Sequence, residues 1–355
     1  MRKNLLLMLI ITMTFMFTGC SGQSKDVGDV HVFYYTYSDT YISSVRSALG
    51  SALKASGISY QDYDSNGNQT TQTEQVQTAI TKGAKLLIVN IVNTGSDDAA
   101  QGIITLAKNA NVPVIFFNRE VSDEIINSYD KSVFIGTDAK EAGYMQGDMI
   151  GDYVVENFDE VDLNGDGNIS YILFKGEEGN NEAIYRTDYS VENADKKLES
   201  AGKNKLVFYD KSNPNKYLVD KNGQWSAASA NEYMTTALTS YNESNNNMIE
   251  LVICNNDGMA EGAITALGSA GYNTGGEKKI PVFGVDATDA AKELIKENKM
   301  TGTIKQDAEA MAKTITKIGK NALENKNLLD DTDDLHIDDS SKKIRIPYSK
   351  YLGDE

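Results

Sequence analysis

Histidine is nearly absent from these 355 residues: His31 and His336 are the only two. That scarcity argues against a histidine-built zinc site and against acid–base chemistry run through imidazole. No G-x-S-x-G nucleophile elbow occurs. Cysteine is equally scarce, with Cys20 and Cys254 alone. Cys254 ends the apolar run Leu251-Val252-Ile253-Cys254, which makes it a small buried hydrophobe rather than a reactive thiol. Basic charge is short as well: 34 Lys and Arg face 51 Asp and Glu, for a net charge of −17. Such a balance argues against nucleic acid and against a polybasic membrane patch. No apolar run is long enough to span a bilayer. No repeat with a period of roughly 20–50 residues is evident. A catalytic reading therefore starts with few candidates, in a chain long enough for two domains with real cores.

What is present begins at the N-terminus. Arg2 and Lys3 precede an apolar run from Leu5 to Phe17, which closes on Thr18-Gly19-Cys20. Residues 1–19 read as a secretory signal with a lipoprotein-type cleavage site, with Phe17 where Leu is usual. Removing Arg2 and Lys3 and no acid takes the net charge from −17 to −19. Two acyl chains anchor stably where one is marginal. Cys20 is thus the expected lipidation site, residues 20–28 the tether, and the outer face of a membrane the expected location. That leaves Cys254 no disulfide partner.

The stretch Asp162-Leu163-Asn164-Gly165-Asp166-Gly167-Asn168-Ile169-Ser170 carries the clearest motif. Oxygen-bearing side chains fall at positions one, three and five, Gly167 at six and Ile169 at eight, the spacing of an EF-hand calcium loop. Asn168 offers a carbonyl at seven, and Ser170 a hydroxyl or a bridging water at nine. Position twelve, a bidentate Glu in an EF-hand, is Leu173, and Ile169 to Gly176 reads as a buried strand rather than an exiting helix. A missing carboxylate must come from elsewhere in the chain if a cation binds. The competing reading is a metal-free Asn/Asp/Gly turn. The alternation together with the glycine favours calcium.

Strand-length apolar runs alternate with segments of helical period, the pattern of βαβ units and a parallel sheet in an α/β fold. The first cycle predicts strands at 30–37, 58–63, 85–93, 112–118 and 133–136, with helices at 40–55, 71–82 and 97–110. After a helix at 140–156, the second cycle predicts strands at 169–175, 205–210, 250–255 and 280–285. Its helices fall at 182–200, 227–241, 259–269 and 289–298. A strand at 301–306, a helix at 307–324 and a last strand at 344–351 close the chain. Elements beyond two like-built domains suggest that the chain crosses between them more than once.

Ligands of open parallel sheets sit beyond the carboxyl ends of the strands. The residues there are Asp39 and Tyr41, Asn118, Asn180 to Arg186, Asn255-Asn256-Asp257, Asp286 and Gln306. Each taken singly reads as a helix cap or a turn. Together, acids, amides and a guanidinium suit sugar hydroxyls, which both donate and accept. Flat rings suit apolar sugar faces, and Tyr41 and the only tryptophan, Trp225, can serve.

With these residues in view, the chain resembles the galactose/glucose-binding branch of the type I periplasmic-binding family over nearly its whole mature length. The motifs are TYSDTY, VPVIFFNRE, VFIGTDAKEAG, DLNGDGNIS, LFKGEEG with Arg186, ICNNDGMAEGAI, IPVFGVDA and IRIPY. The resemblance implies two Rossmann-like, doubly wound domains joined by three hinge crossings near Gly136, Gln306 and Ile346. The domains would be 29–136 with 307–345, and 137–306 with 346–355. It implies structural calcium held by Asp162, Asn164, Asp166, the Asn168 carbonyl, Ser170 and, from afar, Glu250; Ser170 is shorter than the family's usual Gln. For the sugar it implies hydrogen bonds from Asp39, Asn118, Arg186, Asn256 and Asp286, with Tyr41 in place of a stacking Phe and Trp225 as the stacking Trp. Asn180, Glu182 and Gln306 replace a His, an Asp and an Asn of the family.

The function implied is capture of a monosaccharide, galactose or glucose first, by a monomeric lipoprotein that delivers it to the permease of an ABC importer. A sensor presenting the same closed form to a chemoreceptor or sensor kinase shares the pocket. A glycosidase using Asp39, Glu182 and Asp286 needs one acid of raised pKa, and Arg186 is expected to keep these carboxylates ionised. A DNA-binding repressor of the same fold is disfavoured by the signal segment. The acidic run at 330–334 reads as a solvated loop.

Overall fold

The computed structural model describes residues 29–276 and 278–353. The signal segment and Cys20 lie outside them. Two sheets of seven strands form. In the first, the order is His336–Ile337, Lys343–Arg345, Ser132–Gly136, Val114–Phe117, Leu86–Val89, Val30–Tyr34 and Tyr60–Asp64. The second runs Tyr348–Tyr351, Gly302–Gln306, Val282–Asp286, Leu251–Cys254, Ser170–Lys175 and Val207–Phe208, with Leu218–Val219 also beside Ser170–Lys175. Pairing is parallel except at the two late strands, where His336–Ile337 runs against Lys343–Arg345 and Gly302–Gln306 against Tyr348–Tyr351.

The central strands are apolar throughout because both faces of each sheet are covered. Val32 joins the core under the helices Thr40–Ala55 and Ala308–Leu323, while its neighbour Phe33 joins the core under Gln69–Thr81 and Asp98–Ala110. Ile172 and Leu173 divide the second sheet's two cores in the same way. This period-2 alternation makes one strand serve two layers. The helix Ala308–Leu323 packs on Thr40–Ala55, so the chain returns to the first sheet after Gln306.

One expectation fails here in an instructive way. The run 344–351 is not one strand. It breaks at Ile346-Pro347 into Lys343–Arg345 in the first sheet and Tyr348–Tyr351 in the second. Ile346 donates its N–H to the Gly136 carbonyl at 2.8 Å, and Pro347 has no N–H to continue a ladder. The short strands His336–Ile337 and Leu218–Val219 and the helices Asp123–Asn127 and Phe158–Val161 had no counterpart in the sequence pattern.

The helix that carries the cleft residues is seated by glycine. Gly143, Gly147 and Gly151 recur every four residues along Ala139–Glu156, on the face against Asn181–Ser200. A Cβ at Gly147 would lie 2.7 Å from the Ser190 carbonyl and 2.8 Å from that of Tyr189, and one at Gly143 2.4 Å from the Tyr185 carbonyl. The two backbones therefore meet at a distance only glycine allows. We expect Gly147→Val to destabilise the protein by about 1–3 kcal/mol through overpacking. Gly102→Ala, at a helical glycine with open space around it, should stabilise it by up to about 1 kcal/mol. Urea unfolding of both variants checks the contrast in sign.

Candidate functional site

A cleft between the two sheets is lined by all ten residues expected to contact a sugar: Asp39, Tyr41 and Asn118 from the first domain, and Asn180, Glu182, Arg186, Trp225, Asn256, Asp286 and Gln306 around the second. Tyr35, Ile42 and Arg119 complete the lining. The space between atoms, counted to the mouth, is about 360 Å³. The enclosed cavity itself is only about 30 Å³, well below the roughly 300–1,000 Å³ typical of small-molecule sites, so the cleft is nearly shut.

Helix caps place several of these groups, so the capping reading and the site reading hold at once. Asp39 caps Thr40–Ala55 through Ile42 N–H at 2.8 Å and accepts the Tyr35 hydroxyl at 2.7 Å with its other oxygen. Asn180 caps Asn181–Ser200 through Ala183 N–H at 3.0 Å. Asn256 caps Asp257–Ser269 through Met259 N–H at 2.9 Å and donates to the Trp225 carbonyl at 3.3 Å. Each cap uses one side-chain oxygen and satisfies an N–H that the helix cannot. Asn118 has φ 61, a left-handed backbone that Asn tolerates, and accepts from Asn90 at 3.1 Å.

Arg186 lies one helical turn beyond Glu182 on the same helix face and is fully enclosed. It donates to the Asn255 carbonyl at 2.9 Å, the Gln306 amide oxygen at 3.1 Å and the Tyr348 hydroxyl at 3.0 Å. Its Nε, the second carboxylate oxygen of Glu182 and the amide nitrogen of Gln306 are buried with no hydrogen-bond partner in the protein. Unmade bonds at buried polar atoms cost about 1–3 kcal/mol each. They therefore mark where a ligand with both donors and acceptors gains most.

The electrostatics correct one expectation. Arg186 pulls the Glu182 and Asp286 carboxyls down, but burial outweighs it and both end above the ordinary carboxylate range, Asp286 well above. At Glu182 the neighbouring Glu120 adds to the rise. Burial also pulls Arg186 down, yet Tyr348, Asp286 and Glu182 together hold it above its usual value.

Trp225 is 7% exposed, its ring on the α-carbon of Gly176 and the Arg186 guanidinium 5.7 Å from its centroid. Its φ of 56 is unusual for a bulky side chain and costs about 1–2 kcal/mol. A Cβ at Gly176 would fall 2.0 Å from the ring. Tyr41 is buried too, its hydroxyl 3.8 Å from the Met311 sulfur.

The loop Asp162 to Ser170 folds around its own side chains. Asp162 accepts the N–H groups of Asp166 and Gly167 at 3.1 and 2.8 Å, and Asp166 accepts that of Asn168 at 2.8 Å. Glu250, 80 residues downstream of Ser170, closes over the loop, accepting Asn164 N–H at 3.2 Å and Ser170 N–H at 2.9 Å. Burial, aided by the charges of Asp162 and Asp166, pushes Glu250 up to about 7. This hard-oxygen set with mutual repulsion fits a calcium ion by donor type. The side chains are turned onto loop N–H groups, and no acid, His or Cys group among the described residues is drawn together as a metal cluster. The Ser170 hydroxyl is engaged by the Met248 carbonyl.

A family model for the periplasmic binding protein domain matches residues 30–327. The chain belongs to the periplasmic binding protein family. The D-galactose/methyl-galactoside binding periplasmic protein of Haemophilus influenzae is 35% identical over 321 residues, covering 90% of this chain and 88% of that protein. The D-xylose-binding periplasmic protein of Escherichia coli is 28% identical over 256 residues, covering 71% and 65%. Among solved structures, an ABC transporter solute binding protein from Bacillus halodurans with bound myo-inositol shares the fold at a TM-score of 0.69 and 22% identity, over 93% of this chain and 96% of that one.

Within this family fold, sequence reasoning missed Tyr35, Ile42 and Arg119. Arg119 had a usable signal, since it directly follows Asn118 at a strand end. Tyr35 was absorbed into the predicted first strand, which ends at Tyr34 instead. We expect Gly176→Ala to displace the Trp225 ring and, because Trp225 is the only tryptophan, to shift the intrinsic emission maximum. An unchanged spectrum would refute the contact.

Proposed function

We propose that the chain is an extracytoplasmic solute-binding lipoprotein that captures one monosaccharide, galactose or glucose first, and delivers it to an ABC importer. The observation that carries this reading is the trio of unpartnered buried atoms, Glu182 Oε2, Arg186 Nε and Gln306 Nε2, on residues of a cleft that Tyr35, Tyr41 and Trp225 also line. Two donors and an acceptor on neutral-to-charged groups match vicinal hydroxyls. The 35% identical relative is named for D-galactose and methyl-galactoside, which supports a hexose; the xylose-named relative keeps a pentose in view. Lipidation of Cys20 is part of the same proposal; a sensor role, in which the closed form docks a chemoreceptor or kinase, is its alternative outlet.

Binding follows from differential contact. Asp39 and Asn118 stand at the ends of elements of the first domain, and Arg186, Asn256 and Asp286 at those of the second. A sugar touching both favours the closed arrangement by the contacts it makes only there. Capping and packing hold most of these side chains in place beforehand, so little rotamer entropy is lost on binding.

Titration calorimetry of the mature protein with galactose, glucose, xylose and ribose tests the reading. Heat with a hexose, accompanied by a change in Trp225 emission, is the expected result; silence with all four sinks it. Asp286→Ala should weaken the preferred sugar by about 10–100-fold, because it leaves a buried sugar hydroxyl without its partner.

Structural calcium is part of the proposal, held by Asp162, Asn164, Asp166, the Asn168 carbonyl and Glu250, with Ser170 contributing through water. Its role would be to neutralise three acids and brace the strand leading to Asn180 and Arg186. Without the ion, Glu250 has a raised folded-state pKa, so its contribution is present below the ordinary carboxylate range and lost as pH rises through about 7. An ion that needs the ionised carboxylate reverses this. Calcium should therefore raise the unfolding midpoint more at pH 8 than at pH 6, and chelator should remove the gain. Equal midpoints with calcium and with chelator at pH 8 would end the calcium assignment.

A further inference from the structure

Where the two domains meet at the mouth of the cleft, one carboxylate serves two masters. Arg119 stands in the first domain, fixed by its Nε to the Ile91 carbonyl and by Nη2 to the Val92 carbonyl, both at 2.8 Å, with its guanidinium 4.3 Å above the Tyr35 ring. The same Nη2 reaches across the cleft to Glu177 Oε2 at 2.8 Å. Glu177 follows the strand Ser170–Lys175 of the second domain, and the same oxygen accepts the Trp225 indole N–H at 3.4 Å. Its stem also packs toward the turn at Gly223, where a Cβ would stand 3.0 Å from Glu177 Cγ.

We propose that Glu177 is a positioning residue that ties closure of the cleft to the placement of the Trp225 ring, with Arg119 as its partner from the opposite domain. The inference rests on the sugar-binding reading and deepens it, because neither residue was among those expected to contact the ligand. Arg119 is held by its own domain's backbone and Trp225 by Gly176 and Asn256 of the other, and Glu177 joins the two. The two partners of Glu177 belong to separate domains, and hinge opening must break the Arg119 arm while leaving the Trp225 arm intact. The other polar contacts across the mouth are longer: Asn180 to Thr94 Oγ1 at 3.2 Å and Glu120 N–H to Glu182 at 3.3 Å. The Arg119 side chain is 5% exposed and that of Glu177 22%. The pair is thus drier than a surface ion pair, and its attraction is less screened. A bound sugar would accordingly find its aromatic platform aligned by the same charge that shuts the cleft over it.

The test uses the mature protein and the variants E177Q, E177A, R119M and R119M/E177Q. E177Q keeps an amide oxygen for the indole but removes the charge; E177A removes both. In sugar-free protein, E177A should shift the Trp225 emission maximum and E177Q should not. An unshifted E177A overturns the Trp225 arm and with it the proposal. In galactose and glucose titrations, E177Q and R119M should each weaken binding about 5- to 20-fold. The double variant should be no worse than either single one, since one interaction is lost only once. Raising salt should weaken the wild type and leave E177Q flat. Additive losses, or equal salt slopes, overturn the closure arm; a purely structural role would give them. If the wild type gives no heat with any sugar, the binding reading has failed separately. The emission of the sugar-free variants then decides, since the Trp225 arm persists in the open form, and an E177A spectrum equal to that of E177Q overturns the proposal.

Discussion

The buried guanidinium of Arg186 is the constraint around which the molecule is arranged. A desolvated cation must have its donors occupied and its charge balanced. Here the Asn255 carbonyl, Gln306 and Tyr348 accept three hydrogen bonds from it, while Tyr348, Asp286 and Glu182 together favour its charged form. Tyr348 in turn pairs with Thr137 Oγ1 at 2.7 Å. Thr137, Gln306 and Tyr348 sit at the three places where the chain passes between the sheets. One side chain in the cleft thus touches two of the crossings and reaches the third through Tyr348.

The position of Arg186 depends in turn on how its helix is seated. Gly143, Gly147 and Gly151 let Ala139–Glu156 approach Asn181–Ser200 at backbone distance, and Asn180 caps the start of that second helix. Packing far from the cleft therefore sets which way the first two turns point. The strand Ser170–Lys175, which delivers the chain to that cap, begins at the acidic loop closed by Glu250. Loop, strand, cap and helix form one lever from the surface to the site.

Much of this was legible in the sequence. The helix Thr40–Ala55 forms with the bounds its apolar spacing predicts, and the central strands lie inside the predicted runs, because burial on both faces makes them continuously apolar. All ten proposed contact residues line a single cleft, since strand ends in a parallel sheet converge by topology. Short edge elements were not legible: two-residue strands such as His336–Ile337 have no periodicity to read. The break at Ile346-Pro347 was hidden in the pattern for a related reason, since apolar residues continue on both sides while the partner sheet changes.

Sequence alone determined the class of fold, the sign of the charge, the calcium-like spacing and the identity of the polar groups at the strand ends, because these depend on local periodicity and residue chemistry. Tertiary structure decided the rest. Whether Glu182 and Asp286 sit above or below the ordinary carboxylate range depended on burial against the pull of Arg186, which for Asp286 comes from about 100 residues away in the chain. Whether Glu177 and Arg119 matter depended on two domains meeting, 58 residues apart, at one oxygen. Desolvation and long-range pairing are properties of position in space, and no one-dimensional pattern carries them.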